Sequence, residues 1–198
     1  MSRLFVLAVF VLSVPALWAG EPADHGLAPL GAAEAEERAA ETRDLLVDLL
    51  WEHTDVYWHS GRWDEAVRLC RQVTELDPQF VEPYTGAAWL LSSMDRDEEA
   101  TAFYRAGIAA NPDSYELYHE FGLYYFRRQK WEDAAEQFRK SVELQAPMYL
   151  QHMLPNALEQ AGRKEDALAE WRALLERFPE DPIAKRHIEA LEAELAGG

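Results

Sequence analysis

Residues 51–66, WEHTDVYWHSGRWDEA, hold the densest set of side chains that could do chemistry. Imidazoles at His53 and His59, beside carboxylates at Glu52 and Asp55, are the groups that ligate zinc or pass protons. Trp51, Trp58 and Trp63 are the groups that hold a ligand against their rings. Spacing separates these possibilities. On a helix, six residues rotate the chain so that His53 and His59 point about 120° apart, which prevents convergence on one ion. Asp55 and His59, four apart, share a face, but two ligands fall short of the three or four a metal site requires. The chain contains no HExxH, CxxC or glycine-rich phosphate loop. The expectation is therefore structural histidines, with no catalytic residue, no metal and no cofactor. The lone cysteine, Cys70, falls in an apolar helical pattern with Ala66, Leu69 and Val73 and reads as a small buried hydrophobe.

The elements that would position these residues repeat. GRWDEAVRLCRQVTELDP, DRDEEATAFYRAGIAANP, QKWEDAAEQFRKSVELQAP and GRKEDALAEWRALLERFP align on Ala66, Ala100, Ala134 and Ala167, which are 34, 34 and 33 residues apart. Four residues after each alanine stands Cys70, Tyr104, Phe138 or Trp171, and each segment closes on Pro78, Pro112, Pro147 or Pro179. A fixed period of this size marks a stacked unit that buries its apolar face only against its neighbours. Within the third copy, Leu117, Phe121, Tyr124 and Tyr125 recur at helical spacing, and Trp131, Ala134, Ala135, Phe138 and Val142 form a second helical stripe. Proline ends the second helix because it lacks an N–H and displaces the preceding residue from the helical region. No alternation typical of strands occurs.

This pattern resembles the tetratricopeptide repeat (TPR) family. Tyr115, Tyr118, Phe121-Gly122, Tyr125, Ala134, Phe138, Ser141 and Ala146-Pro147 follow its consensus in the third copy; Tyr84, Ala87-Ala88, Leu91, Ala100, Tyr104, Gly107 and Pro112 do so in the second. The first and fourth depart, with His53-Thr54 and Leu154-Pro155 where Leu-Gly is usual, and Pro155 should kink its helix. The resemblance covers about residues 45–182 and implies an all-α array of about four helix-turn-helix repeats in a short right-handed superhelix, closed by a C-terminal capping helix. Asp181 as N-cap, Pro182, and then Ala184, Ile188, Leu191 and Leu195 on one face supply that cap. The first helix is expected from about Arg43 to Ser60, with Leu46, Leu50, His53 and Tyr57 as its core stripe; the segment AAEAEERAAETRD would extend it backwards.

In such an array the first helices line a concave groove. The resemblance implies a groove formed by Trp51, Asp55, Trp58, Trp89, His119, Leu123, Phe126, Tyr149, His152 and Asn156, aromatic throughout and acidic in its first half. His119 and His152 occupy matching positions in adjacent repeats and form the best metal candidate, without a third ligand. The family's clamp for acidic C-terminal tails needs basic residues with asparagine, and only Arg127 and Asn156 qualify here. The groove therefore suits a protein or peptide partner that is basic or aromatic-rich.

Composition agrees. The 198 residues carry 19 Lys and Arg against 36 Asp and Glu, a net charge of −17 at pH 7, which repels nucleic acid and anionic membrane. Arg3, the apolar run Leu4 to Val14 and the small residues up to Ala19 read as a signal peptide, too short to span a bilayer as a helix. Retention of this stretch as an anchor is the alternative to cleavage. The expected organisation is a signal peptide at 1–19 and a linker with N-terminal helical extension at 20–42. A TPR array over 43–182 follows (repeats at about 47–78, 81–112, 115–147 and 148–179), then a capping helix at 183–198. The functional expectation is an exported scaffold, periplasmic or secreted, binding a segment within an envelope complex and having no transmembrane segment once the signal is removed. A homo-oligomer built by self-assembly is the alternative, and a metal-dependent or hydrolytic activity the remote third.

Overall fold

The computed structural model describes residues 31–197, and every regular element among them is helical. The expected signal peptide, 1–19, and the first part of the expected linker, 20–30, lie outside the described residues. The helices are α1 (Ala32–His59), α2 (Trp63–Leu76), α3 (Glu82–Ser93), α4 (Asp97–Ala110) and α5 (Tyr115–Arg127). They continue with α6 (Trp131–Glu143), α7 (Met148–Gln151), α8 (Met153–Gln160), α9 (Lys164–Arg177) and α10 (Pro182–Gly197). The repeats and α10 lie in one compact unit, 39–198; of the other unit, 1–38, only the start of α1 is described.

Each helix pair turns on the same device. Gly61, Asp95, Gln129 and Gly162 take positive φ, at corresponding places in the four repeats. The next residue's N–H then reaches back to a first-helix carbonyl: Arg62 to Tyr57, Arg96 to Leu91, Lys130 to Tyr125 and Arg163 to Leu158, at 2.9–3.0 Å. This is the left-handed C-terminal motif that satisfies otherwise orphaned carbonyls and reverses the chain in three residues. Ala66, Ala100, Ala134 and Ala167 are fully buried where the paired helices touch. Gly107 and Gly122 permit still closer approach, since a Cβ there would sit 2.8 Å from Leu117 and 2.5 Å from the Phe138 ring.

The buried side chains form two clusters. One joins α2 to α5 around Leu90, Leu91, Tyr104 and Phe121; the other joins α6, α8, α9 and α10 around Phe138, Leu158 and Trp171. Tyr125 of α5 packs against both. As the sequence implies, the fourth repeat's first helix is interrupted. It divides at His152 into α7 and α8, because Pro155 has no N–H for the carbonyl of Gln151 and its ring crowds that oxygen. Asp181 caps α10 through bonds to its Oδ1 from the N–H groups of Ile183 (2.9 Å) and Ala184 (3.3 Å).

One expectation is corrected. The core row of α1 is not Leu46, Leu50, His53 and Tyr57. Val47 and Thr54 are buried, Leu50 and Tyr57 are half-buried, and His53 is exposed, its Nδ1 lying 2.8 Å from the Leu49 carbonyl of its own helix. The helix is rotated because Trp51 and Trp58 pack on the second repeat, Trp51 edge-on to Phe80 and Trp58 face to face with Trp89. The first helix of an array has a repeat on one side only, so Leu45, Leu49 and Val56 on the far flank stay 51–70% exposed.

Candidate functional site

The first helices α1, α3 and α5 stand side by side and leave a groove between their outer faces. Two cavities of about 710 Å3 each share Trp58, Glu82, Thr85 and Gly86 and so run into one another. One is walled by Trp51, Glu52, Asp55 and His59 of α1. The other is walled by Phe80, by Trp89 of α3, and by Glu116 and Glu120 of α5. Trp58 lines both, and Trp89, which lines the second alone, is stacked on it with ring centroids 5.0 Å apart and planes 17° apart, an offset stack that fixes both indoles. Trp89 remains 43% exposed despite the stack.

The electrostatics of the groove are one-sided. No lysine or arginine lines either cavity, whereas Glu52, Asp55, Glu82, Glu116 and Glu120 do. Asp55 has a histidine beside it, His59, at 3.4 Å. Glu116 accepts a hydrogen bond from Ser114 at 2.9 Å. Glu120 has no ion-pair or hydrogen-bond partner among the described residues; burial raises its carboxyl above the usual range, and the charge of Arg127 offsets this only in part. Four arginines of the array are engaged elsewhere: Arg62 with Glu65, Arg96 with Glu99 and Asp64, Arg128 with Asp97, and Arg163 with Asp166.

Of the residues expected in the groove, the structure brings together Trp51, Asp55, Trp58 and Trp89. The others line neither cavity. His119 is 6% exposed, its ring 5.4 Å from Phe138, and burial lowers its imidazole below the usual range. Leu123 and Phe126 turn into the second core, Phe126 edge-on to Trp131 at 4.8 Å. His152 is bound to Asp181, Nε2 to Oδ2, at 2.6 Å. Tyr149 is exposed on the short α7, and Asn156 is half-buried on α8. His119 is thus packed in the core and His152 bonded to Asp181, and no group of three or more His, Cys, Asp or Glu among the described residues could hold a metal ion. Burial pushes the Cys70 thiol up to about 12, far from the range of a reactive thiolate.

The sequence reading missed Phe80 and Glu120. Phe80 belongs to the turn before α3, outside any helical face. Glu120 was detectable, because it stands four residues after Glu116 and shares its face of α5.

Two tetratricopeptide repeat models match the chain, over residues 57–121 and 152–188. No curated protein matches it in sequence. Among solved structures it is similar to MamA (16% identity, 74% of this chain and 80% of that one, TM-score 0.57). It is also similar to PilF of Pseudomonas aeruginosa (15% identity, 79% and 72%, TM-score 0.57). A third is YrrB, described as a TPR protein with an unusual peptide-binding site (19% identity, 83% and 86%, TM-score 0.56). At these identities the likeness is one of fold.

Proposed function

The chain is built from tetratricopeptide repeats, and from that premise we propose that it is an exported protein-interaction scaffold that holds an extended segment of a partner in the groove of α1, α3 and α5. Its role is binding, not catalysis. The observation that carries this reading is the pair of adjoining cavities that meet at Trp58, itself stacked on Trp89, and are walled only by acids, histidine and neutral groups. Exposed aromatic rings that the core does not need are the groups that anchor a bound chain, and an acidic wall selects a basic or aromatic-rich one. The similar fold of YrrB, with its peptide-binding site, supports a peptide as ligand. Export, to a periplasm or the exterior, is supported by Arg3 and the apolar run Leu4 to Val14, and it places the partner in an envelope complex.

A crosslinked pull-down from the host envelope tests this, comparing wild type with a Thr85→Arg, Trp89→Ala variant of unchanged helicity. A partner recovered by wild type and lost with the variant supports the groove. Equal recovery by both moves binding to the convex face or the ends of the array and sinks the reading.

A second reading, self-assembly, draws on the exposed flank of α1 formed by Leu45, Leu46, Leu49 and Val56, apolar residues more often covered than bare when they are contiguous. Light scattering across protein concentration separates the two. A mass that grows without an added partner, and stops growing with Leu49→Lys, favours assembly.

A further inference from the structure

We infer that Trp89, held by Trp58, and Glu120 together form a seat for one arginine side chain of the segment in the groove. The inference rests on the groove reading above and names the chemistry that reading leaves open.

The cavity joining these residues lies between α3 and α5 and is about 710 Å3, ample for a guanidinium and its alkyl stem. Its wall carries three carboxylates, Glu82, Glu116 and Glu120, and no base. Their states differ. Glu116 has a hydroxyl partner, and Glu82 is exposed at the first turn of α3, where the helix dipole favours a negative charge. Glu120 has no bonded partner among the described residues and is half-buried, and the charge of Arg127 offsets that burial only in part. A carboxylate withdrawn from water without compensation is costly, and the cost is recovered when a cation arrives. Elsewhere the fold shows the contrasting case. Glu159, also half-buried, is bound by Trp171 Nε1 at 2.6 Å and by His187 Nδ1 at 2.8 Å. Glu120 is the groove acid left for an outside partner.

The choice of arginine follows from the rings. An indole attracts a cation over its face, and a planar guanidinium can lie on the ring while its N–H fork meets a carboxylate. An ammonium satisfies the charge but not the plane. A bare metal ion fits poorly, because the acids do not converge into a group of three among the described residues. The stack with Trp58 holds the Trp89 ring in place, so less ordering is required of the protein when the arginine docks.

The test uses three short blocked peptides, flanked by aromatic residues and identical except for a central arginine, lysine or citrulline, the last an uncharged near-isostere of arginine. Each is titrated into the full chain, and tryptophan fluorescence is followed. Wild type should bind the arginine peptide about tenfold more tightly than the citrulline peptide, with lysine between them, as expected for a charge-assisted pair. In Glu120→Gln, a change of nearly equal shape, that preference should fall to about twofold or less. Trp89→Leu, checked by circular dichroism, should weaken the arginine peptide more than the citrulline peptide. Arginine and citrulline peptides that bind wild type equally would overturn the seat and leave the groove reading standing. A preference that survives Glu120→Gln overturns the assignment to Glu120. Failure of all three peptides to bind removes the groove reading, and the seat with it.

Discussion

Glu120 and Gly122, two residues apart on α5, show how little of the molecule's behaviour is set by residue type alone. Burial raises the Glu120 carboxyl, so the folded chain holds that proton more tightly than the unfolded one does. Stability at this residue is therefore greatest below the ordinary glutamate range and declines as pH rises through the elevated value. Glu120→Gln should accordingly raise the thermal midpoint at neutral pH and leave it nearly unchanged at about pH 3, where the glutamate is protonated in folded and unfolded chains alike. A midpoint lowered at neutral pH would mean that the carboxylate has a partner inside the fold. Gly122 faces the opposite constraint, with the Phe138 ring 2.5 Å from any added Cβ. Gly122→Ala should destabilise the fold by about 1–3 kcal/mol through overpacking, measurable by urea unfolding. The glycine was visible in the sequence as part of Phe121-Gly122. The unpaired state of Glu120 was not, because it depends on where α3 and its tryptophan come to rest.

The elements were legible where a local rule governs them. Pro155 breaks its helix, Asp181 caps α10, and the alanines at the repeat period are buried, each for a reason contained in a few residues. The rotation of α1 was not legible, since Leu45, Leu46, Leu49, Leu50 and Val56 place apolar groups around much of the helix and only contact with Phe80 and Trp89 selects a side. The same contact explains the partial groove. Residue positions carried over from a regular repeat assume that every first helix presents the same face, whereas the fourth repeat's first helix is divided into α7 and α8, and Tyr149, His152 and Asn156 line neither cavity. Two predictions belong at this scale. The turns at Gly61, Asp95, Gln129 and Gly162 need a left-handed residue, and only two have glycine. Gln129→Gly should stabilise by about 0.5–1 kcal/mol and Gly162→Ala should destabilise by at least as much, because a side chain is strained at positive φ. Two effects of the same sign in chemical denaturation, or a destabilising Gln129→Gly, would contradict this. At the cap, burial works to raise the Asp181 carboxyl, but the bonds from His152 and from the N–H groups of Ala184 and Ile183 outweigh it and hold the group below its usual range. Its contribution is present above the ordinary aspartate range and lost as pH falls through the depressed value. Asp181→Ala should cost about 1–2 kcal/mol near neutral pH, read as a lower unfolding midpoint and faster amide exchange in α10.

For the whole molecule, charge ties stability to binding, and it does so with opposite signs. The chain carries 36 acidic against 19 basic side chains, so the folded state confines like charges that the unfolded chain spreads apart. Arg62, Arg96 and Arg163 are spent on ion pairs at the helix starts, and no lysine or arginine lines the groove, so its acids add to the net repulsion. Raising NaCl from about 0.1 M to about 1 M shortens the Debye length from about 10 Å to about 3 Å and screens that repulsion. The thermal midpoint should therefore rise with salt even though the surface ion pairs weaken, because exposed pairs contribute little each while the net repulsion acts on every charge. Binding of a basic segment should move the other way, losing affinity mainly through a slower association rate, since the long-range attraction of the groove is what salt removes. The contact at Glu120 is partly shielded from solvent and should be screened less, so the arginine-over-citrulline preference should persist at high salt while both affinities fall. Stopped-flow fluorescence on the two peptides across the salt series gives the association rate, the dissociation rate and the preference together. A preference that vanishes with salt would assign recognition to the diffuse field of the acidic surface. One that persists while association slows would divide the work between the field, which gathers basic segments, and the Trp89–Glu120 seat, which selects among them.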